Sequence, residues 1–175
     1  MEISKVARRF LVPGFVVTGI YALKYGCLIS HRAEVELSGN LKIGKRTQVG
    51  SFTKIKASDG PLEIGHNAFV GCNCFISSST GGVSIGDHTM ISSNVSIIGN
   101  NYRYDDLEKP ICQQERTSNG IRIDRNVWIG AGAVILDGAE IGEGCIVTPG
   151  SVVSGSVPPN QILQGNPAQV IFERR

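Results

Sequence analysis

Few side chains in this chain can move a proton near neutral pH. Three histidines, His31, His66 and His88, stand apart in the sequence, the last two in short polar intervals between aliphatic residues, and they read as solvent-facing polar positions. Five cysteines, Cys27, Cys72, Cys74, Cys112 and Cys145, are an odd number without C-x-x-C spacing. They suggest neither a zinc site nor a disulfide framework and read as reduced thiols of a cytoplasmic protein. The densest polar run is GNNYRYDDLEKPICQQERTSNG, residues 99–120, which has no histidine. A hydroxyl acceptor is best served by a base titrating near neutrality. Phenols titrate near pH 10 and free carboxylates near 4, so Tyr102 is a poor substitute for such a base and Asp105 and Asp106 are the remaining candidates. The single Trp, Trp128, stands in VWIG and is either a ligand-facing aromatic or a packing one.

These residues need elements to hold them, and the elements are announced by a six-residue comb. Ile or Val recurs at Ile123, Ile129, Ile135, Ile141, Val147 and Val153, and earlier at Ile43, Val49, Ile55, then Ile64, Val70, Ile76, then Ile85, Ile91, Ile97. A helix repeats every 3.6 residues and a simple strand every two, so a six-residue period predicts a hexapeptide solenoid, a triangular prism of parallel strands. The residue after the comb position is often Gly (Gly44, Gly65, Gly86, Gly130), which predicts a tight corner.

Taking the first comb residue of each turn, Ile43, Ile64, Ile85, Ile123 and Ile141, the spacings are 21, 21, 38 and 18. An undecorated turn of three hexapeptides is eighteen residues, so every insertion falls after the third strand of a turn. The long polar loop, residues 99–120, therefore projects from the same corner as the short turns around Ser58 and Ser79. Loops of that length in a compact domain are usually functional or disordered.

The expected organisation is a single domain: residues 1–40 an N-terminal apolar cap with an imperfect first coil, 41–157 the prism with its loop at 99–120, and 158–175 a tail entered through Pro158-Pro159. The cap, with Lys5, Arg8 and Arg9 ahead of an apolar run, also suits a weak membrane-surface contact through residues 5–23. A net charge of +2 and the lack of a basic stripe interleaved with aromatics exclude nucleic acid as a partner. Aromatics at 6% and 22 glycines suit flat coils filled with β-branched residues.

IGDHTMIS from Ile85, NVSIIGNNYRYDD, VWIGAGAVILDGAEIGEG and SVPPNQILQGNPAQVI together resemble the left-handed β-helix hexapeptide acyltransferases. The likeness is greatest to the branch of maltose, galactoside and xenobiotic O-acetyltransferases. The resemblance implies an all-β, left-handed parallel β-helix and a homotrimer. It also implies acetyl-CoA held between neighbouring prisms, with the loop of one subunit closing over the next. On that basis Trp128, Ala131 and Gly132 face the pantetheine arm, and Pro149, Ser154 and Gly155 lie toward the nucleotide. The loop supplies the acceptor site through Asn100, Asn101, Tyr102 and Asp105, with Asp105 orienting it. The family's loop histidine is here Tyr102, and Asn100 stands where related sugar O-acetyltransferases carry a second histidine. Ser154-Gly155-Ser156 replaces a lysine-bearing T-K-D, leaving Arg174 and Arg175 of the tail as substitute cations. No metal is implied, because three histidines spaced to reach one zinc are missing. The implied function is acetyl transfer from acetyl-CoA to a hydroxyl or amino group of a sugar or glycan precursor, in polysaccharide biosynthesis. The alternative is a non-catalytic trimeric scaffold that has lost its histidine.

Overall fold

The computed structural model describes residues 13–175; the basic residues Lys5, Arg8 and Arg9 of the membrane-contact expectation lie outside that range. Successive short strands turn onto three parallel sheets, which form the faces of a prism. The first face stacks Leu28–Ile29, Gln48–Val49, Phe69–Val70, Met90–Ile91, Trp128–Ile129, Ile146–Val147 and Gln161–Gly165. The second stacks six strands from Glu34–Val35 to Val152–Val153, and the third six from Leu41–Ile43 to Ser156–Val157. Comb residues pair with comb residues at every rung, as in Ile43↔Ile64, Ile91↔Ile129 and Ile97↔Ile135. All fifteen are at most 3% exposed, so the six-residue period is the period of the core.

The glycine after the comb residue is required by its neighbour rather than by its own dihedrals. A Cβ on Gly44 would lie 2.5 Å from the His66 backbone nitrogen one coil on, and one on Gly86 would lie 2.5 Å from that of Arg125. The left-handed residues come two places later, at Arg46, Asn67, His88 and Asn126. Asn tolerates that conformation better than most side chains. The interior polar groups are satisfied: the hydroxyl of Thr47 donates to the Gly65 carbonyl at 2.6 Å, and that of Thr53 to the Gly71 carbonyl at 2.7 Å. Burial pushes the thiols of Cys27, Cys74 and Cys145 up, away from reactivity.

Register begins earlier and ends later than the comb suggests. Ile29 and Val35 already pair with Val49 and Ile55, so the first coil contributes two proper strands. Leu163 still pairs with Val147, beyond the expected exit at residue 157. The chain then reverses, and Ala168–Glu173 runs antiparallel on Gln161–Gly165. Over the other end lies a helix, α1 (Gly14–Tyr25), which closes on Gly26 in the left-handed conformation. Val17 and Tyr21 of α1 are buried against the first coil, and the Tyr21 hydroxyl donates to the Glu36 carbonyl at 2.9 Å.

Candidate functional site

The long insertion leaves the corner between the second and third faces, as the spacing requires, but it is an arm with its own pairing rather than an open loop. Asn101–Tyr102 runs antiparallel to Arg116–Thr117, and a 3-10 turn at Ile111–Gln113 shapes the tip. The arm's foot is tied to the prism. The Asn119 and Gly120 N–H groups both donate to the Asp137 carboxylate at 2.9 Å, and the Ser118 hydroxyl donates to the Gly99 carbonyl at 2.7 Å.

Within the arm, the Arg116 guanidinium donates to the Tyr102 hydroxyl at 2.6 Å and lies 4.9 Å from its ring centroid. The phenol oxygen is thus an acceptor toward Arg116, which leaves its own O–H to donate elsewhere. Arg103 grips Asp105 through two hydrogen bonds of 3.0 and 2.6 Å. That guanidinium holds the Asp105 carboxyl below the usual carboxylate range, which weakens it as a base. Asp106 pairs with Lys109 at 3.2 Å, and the Gln114 side chain brackets the turn by donating to the Asp106 and Lys109 carbonyls. Asp105 and Asp106 are therefore structural clamps. Asn101 accepts the Tyr102 N–H through its side chain, and Asn100 beside it is half-buried at the arm's entry.

Trp128 lies on the first face and is 46% exposed, its indole N–H donating to the Ser92 hydroxyl at 3.2 Å. Met90 and Ile146 are its rung neighbours and Phe69 comes next beyond Met90, so the indole belongs to an apolar strip running along the face. Sequence reading missed that strip, although it could be found by taking the residue before each first-face comb position. Ala131 and Gly132 sit at the corner beyond Trp128. Gly132 adopts φ 70°, and a Cβ there would meet nothing within 4 Å. Pro149 stacks over Gly130, whose missing Cβ makes room for the ring. The Gly132 and Gly150 N–H groups are already used between coils, at 3.1 Å to Ser93 and 2.9 Å to Ala131.

The ten candidate residues do not converge in one prism. Trp128, Ala131, Gly132 and Pro149 cluster on the first face and the corner following it. Ser154 and Gly155 lie across the second face, at the corner that bears the arm with Asn100, Asn101, Tyr102 and Asp105. In a triangular section that corner is opposite the first face. Arg174 is not a free cation for phosphates: its guanidinium donates to the Gly144 carbonyl and its backbone N–H to that of Asn160 at 2.7 Å, fastening the tail. His66 has a structural task, its Nδ1 accepting the Lys45 N–H at 2.9 Å. Among the described residues no group of three or more His, Cys, Asp or Glu is placed to hold a metal ion.

Residues 120–155 match the family described as bacterial transferase hexapeptide (six repeats), and residues 61–99 match the hexapeptide repeat of succinyl-transferase. AntD, an N-acyltransferase from Bacillus cereus solved with dTDP and 3-hydroxybutyryl-CoA, superposes with a TM-score of 0.77 at 20% identity, over 90% of this chain and 87% of that one. The Vibrio cholerae hexapeptide-repeat acetyltransferase VCA0836, solved with acetyl coenzyme A, gives 0.60 at 19% identity over 98% and 83%. At the sequence level, a Mycobacterium tuberculosis protein named as an acetyltransferase is 36% identical over 74 residues, 42% of this chain and 25% of its own. A Schizosaccharomyces pombe protein of the same name is 47% identical over 51 residues, 29% of this chain and 25% of its own. The chain thus spans about a quarter of the length of these curated relatives. The fold is the left-handed hexapeptide β-helix.

Proposed function

We propose that this hexapeptide-repeat β-helix is an acyltransferase that takes acetyl-CoA as donor and acetylates a hydroxyl or amino group of a sugar, at a site shared between copies of the chain. The observation that carries the reading is the opposition of Trp128 and the arm. In one prism they face apart; in a head-to-tail contact the arm of one copy meets the first face of the next. A heterologous contact whose rotation closes makes a ring, and the ring proposed here is the homotrimer. The wall offers the donor an apolar strip and the open corner at Gly132, rather than N–H donors.

The reaction forms a bond from the acceptor's oxygen or nitrogen to the thioester carbonyl and breaks the C–S bond, the CoA sulfur leaving and taking up a proton. In this arm Tyr102, with its oxygen turned to Arg116, serves as a hydrogen-bond donor, and Asn100 and Asn101 position the acceptor. That inventory favours an amine, which is nucleophilic once deprotonated and releases its proton after attack. AntD, described as an N-acyltransferase, is a fold neighbour in keeping with this choice.

Complementation tests the reading. Trp128→Ala and Tyr102→Ala chains should each release little CoA, and a co-refolded equal mixture should regain about a quarter of wild-type activity, because one interface in four pairs an intact arm with an intact wall. If wild-type protein gives no heat with acetyl-CoA and releases no CoA against a panel of sugars and amino sugars, the reading falls and the non-catalytic scaffold stands.

A further inference from the structure

The helix that closes the prism is apolar on the side facing away from it. Phe15 and Leu23 are 68% and 91% exposed, and Val16 and Ile20 share their arc, opposite the buried Val17 and Tyr21. A helix apolar all round is expected in a core or against lipid, not in water. At twelve residues, α1 spans about 18 Å, and no helix among the described residues is long and apolar enough to cross a membrane.

Charge decides what meets that face. Because coils stack in chain order, sequence position is height along the prism. Residues 13–56, the helix-bearing end of the described residues, hold seven Lys and Arg against two Asp and Glu; residues 57–175 hold seven against twelve. A net charge of +2 therefore conceals a strong axial asymmetry. Lys24 lies in the last turn of α1, and Arg46 abuts its C-cap, its N–H donating to the Gly26 carbonyl at 2.9 Å. Neither forms an ion pair with an acid of the described residues.

We propose that the exposed face of α1 docks on an anionic phospholipid surface, with Phe15, Ile20 and Leu23 entering the headgroup boundary and Lys24 and Arg46 at the level of the lipid phosphates. Exposed apolar area and adjacent basic charge are the two components of interfacial binding. This goes beyond the proposed reaction and stands independently of it.

Flotation of the full chain with vesicles of phosphatidylcholine, alone or with about 30% phosphatidylglycerol, tests it; partitioning should rise by about tenfold or more with the anionic lipid. Leu23→Glu should lower it by about tenfold, and Arg46→Glu by about fivefold. The melting temperature of Leu23→Glu should stay unchanged because that side chain touches solvent. Equal recovery with both vesicle types, or no recovery with either, would overturn the proposal. So would a fall in solution mass for Leu23→Glu, which would show the face to be buried between copies.

Discussion

Replacing Gly86 by Ala measures what holds the coils at their spacing. Its Cβ would sit 2.5 Å from the Arg125 nitrogen and 2.6 Å from the Asp124 carbonyl carbon, where ordinary contact starts near 3.4 Å. Both obstacles are backbone, so the next coil has to lift by about 1 Å, against a strand spacing of about 4.8 Å. The hydrogen bonds crossing there, Gly86 N–H to Ile123 and Asn126 N–H to Asp87, are both 2.8 Å and would stretch past useful length. Two such bonds at about 1 kcal/mol each and overpacking of about 1–3 kcal/mol give a loss of about 3–5 kcal/mol. Gly132→Ala is the matched control. Its Cβ meets nothing within 4 Å, so only the left-handed backbone resists, at about 1–2 kcal/mol. Urea unfolding of both variants reads the difference. The reasoning is refuted if Gly86→Ala costs no more than Gly132→Ala. Acetyl-CoA calorimetry should order them oppositely for native protein, with Gly132→Ala binding donor more weakly because its methyl occupies the open corner.

Since Trp128 is the chain's single tryptophan, acetyl-CoA should change the intrinsic fluorescence directly; a saturating titration without change would remove the donor wall from the first face. Tyr102→Phe and Arg116→Ala should each lower kcat by about tenfold or more while leaving the donor Kd intact, and a weakened Kd would instead tie the arm to donor binding. The Asp105 carboxyl, held down first by Arg103, should titrate below the ordinary carboxylate range in carbon-detected NMR and move back up toward that range in Arg103→Ala. By the sign of that shift, the clamp is complete above the ordinary carboxylate range and is lost only as pH falls through the lowered value. Asp137→Asn should loosen the arm without melting the prism, seen as faster amide exchange at Asn119 and Gly120 alone, because it weakens a charge-assisted anchor at the arm's foot.

The prism was legible because its core follows a simple rule: every sixth residue faces inward, and the Ile and Val residues that fill it have few polar competitors. The first coil shows in the sequence only as an imperfect one, because Ile29 and Val35 stand on two strands instead of three, too few to display a period. The pairing of Asn101–Tyr102 with Arg116–Thr117 left no trace, since two-residue strands cannot alternate and their partners are fourteen or more residues apart. At the candidate site, residue identity suggested Tyr102 and Trp128 but not their tuning. The Arg116 and Ser92 contacts join residues fourteen and thirty-six positions apart. The separation of Ser154 and Gly155 from Trp128 is likewise a matter of which corner a count of six reaches.

That every insertion enters at one corner has a consequence for how such a molecule changes over time. Each coil's pairing is set within the coil stack, so residues added between the second and third faces leave every rung where it was. Loop closure adds only about 0.6 kcal/mol for each doubling of length. The arm can therefore be lengthened, shortened or exchanged almost independently of the faces it springs from. On the proposed reading, a lineage built this way can change its acceptor by rewriting one segment while inheriting the donor-facing surface unchanged.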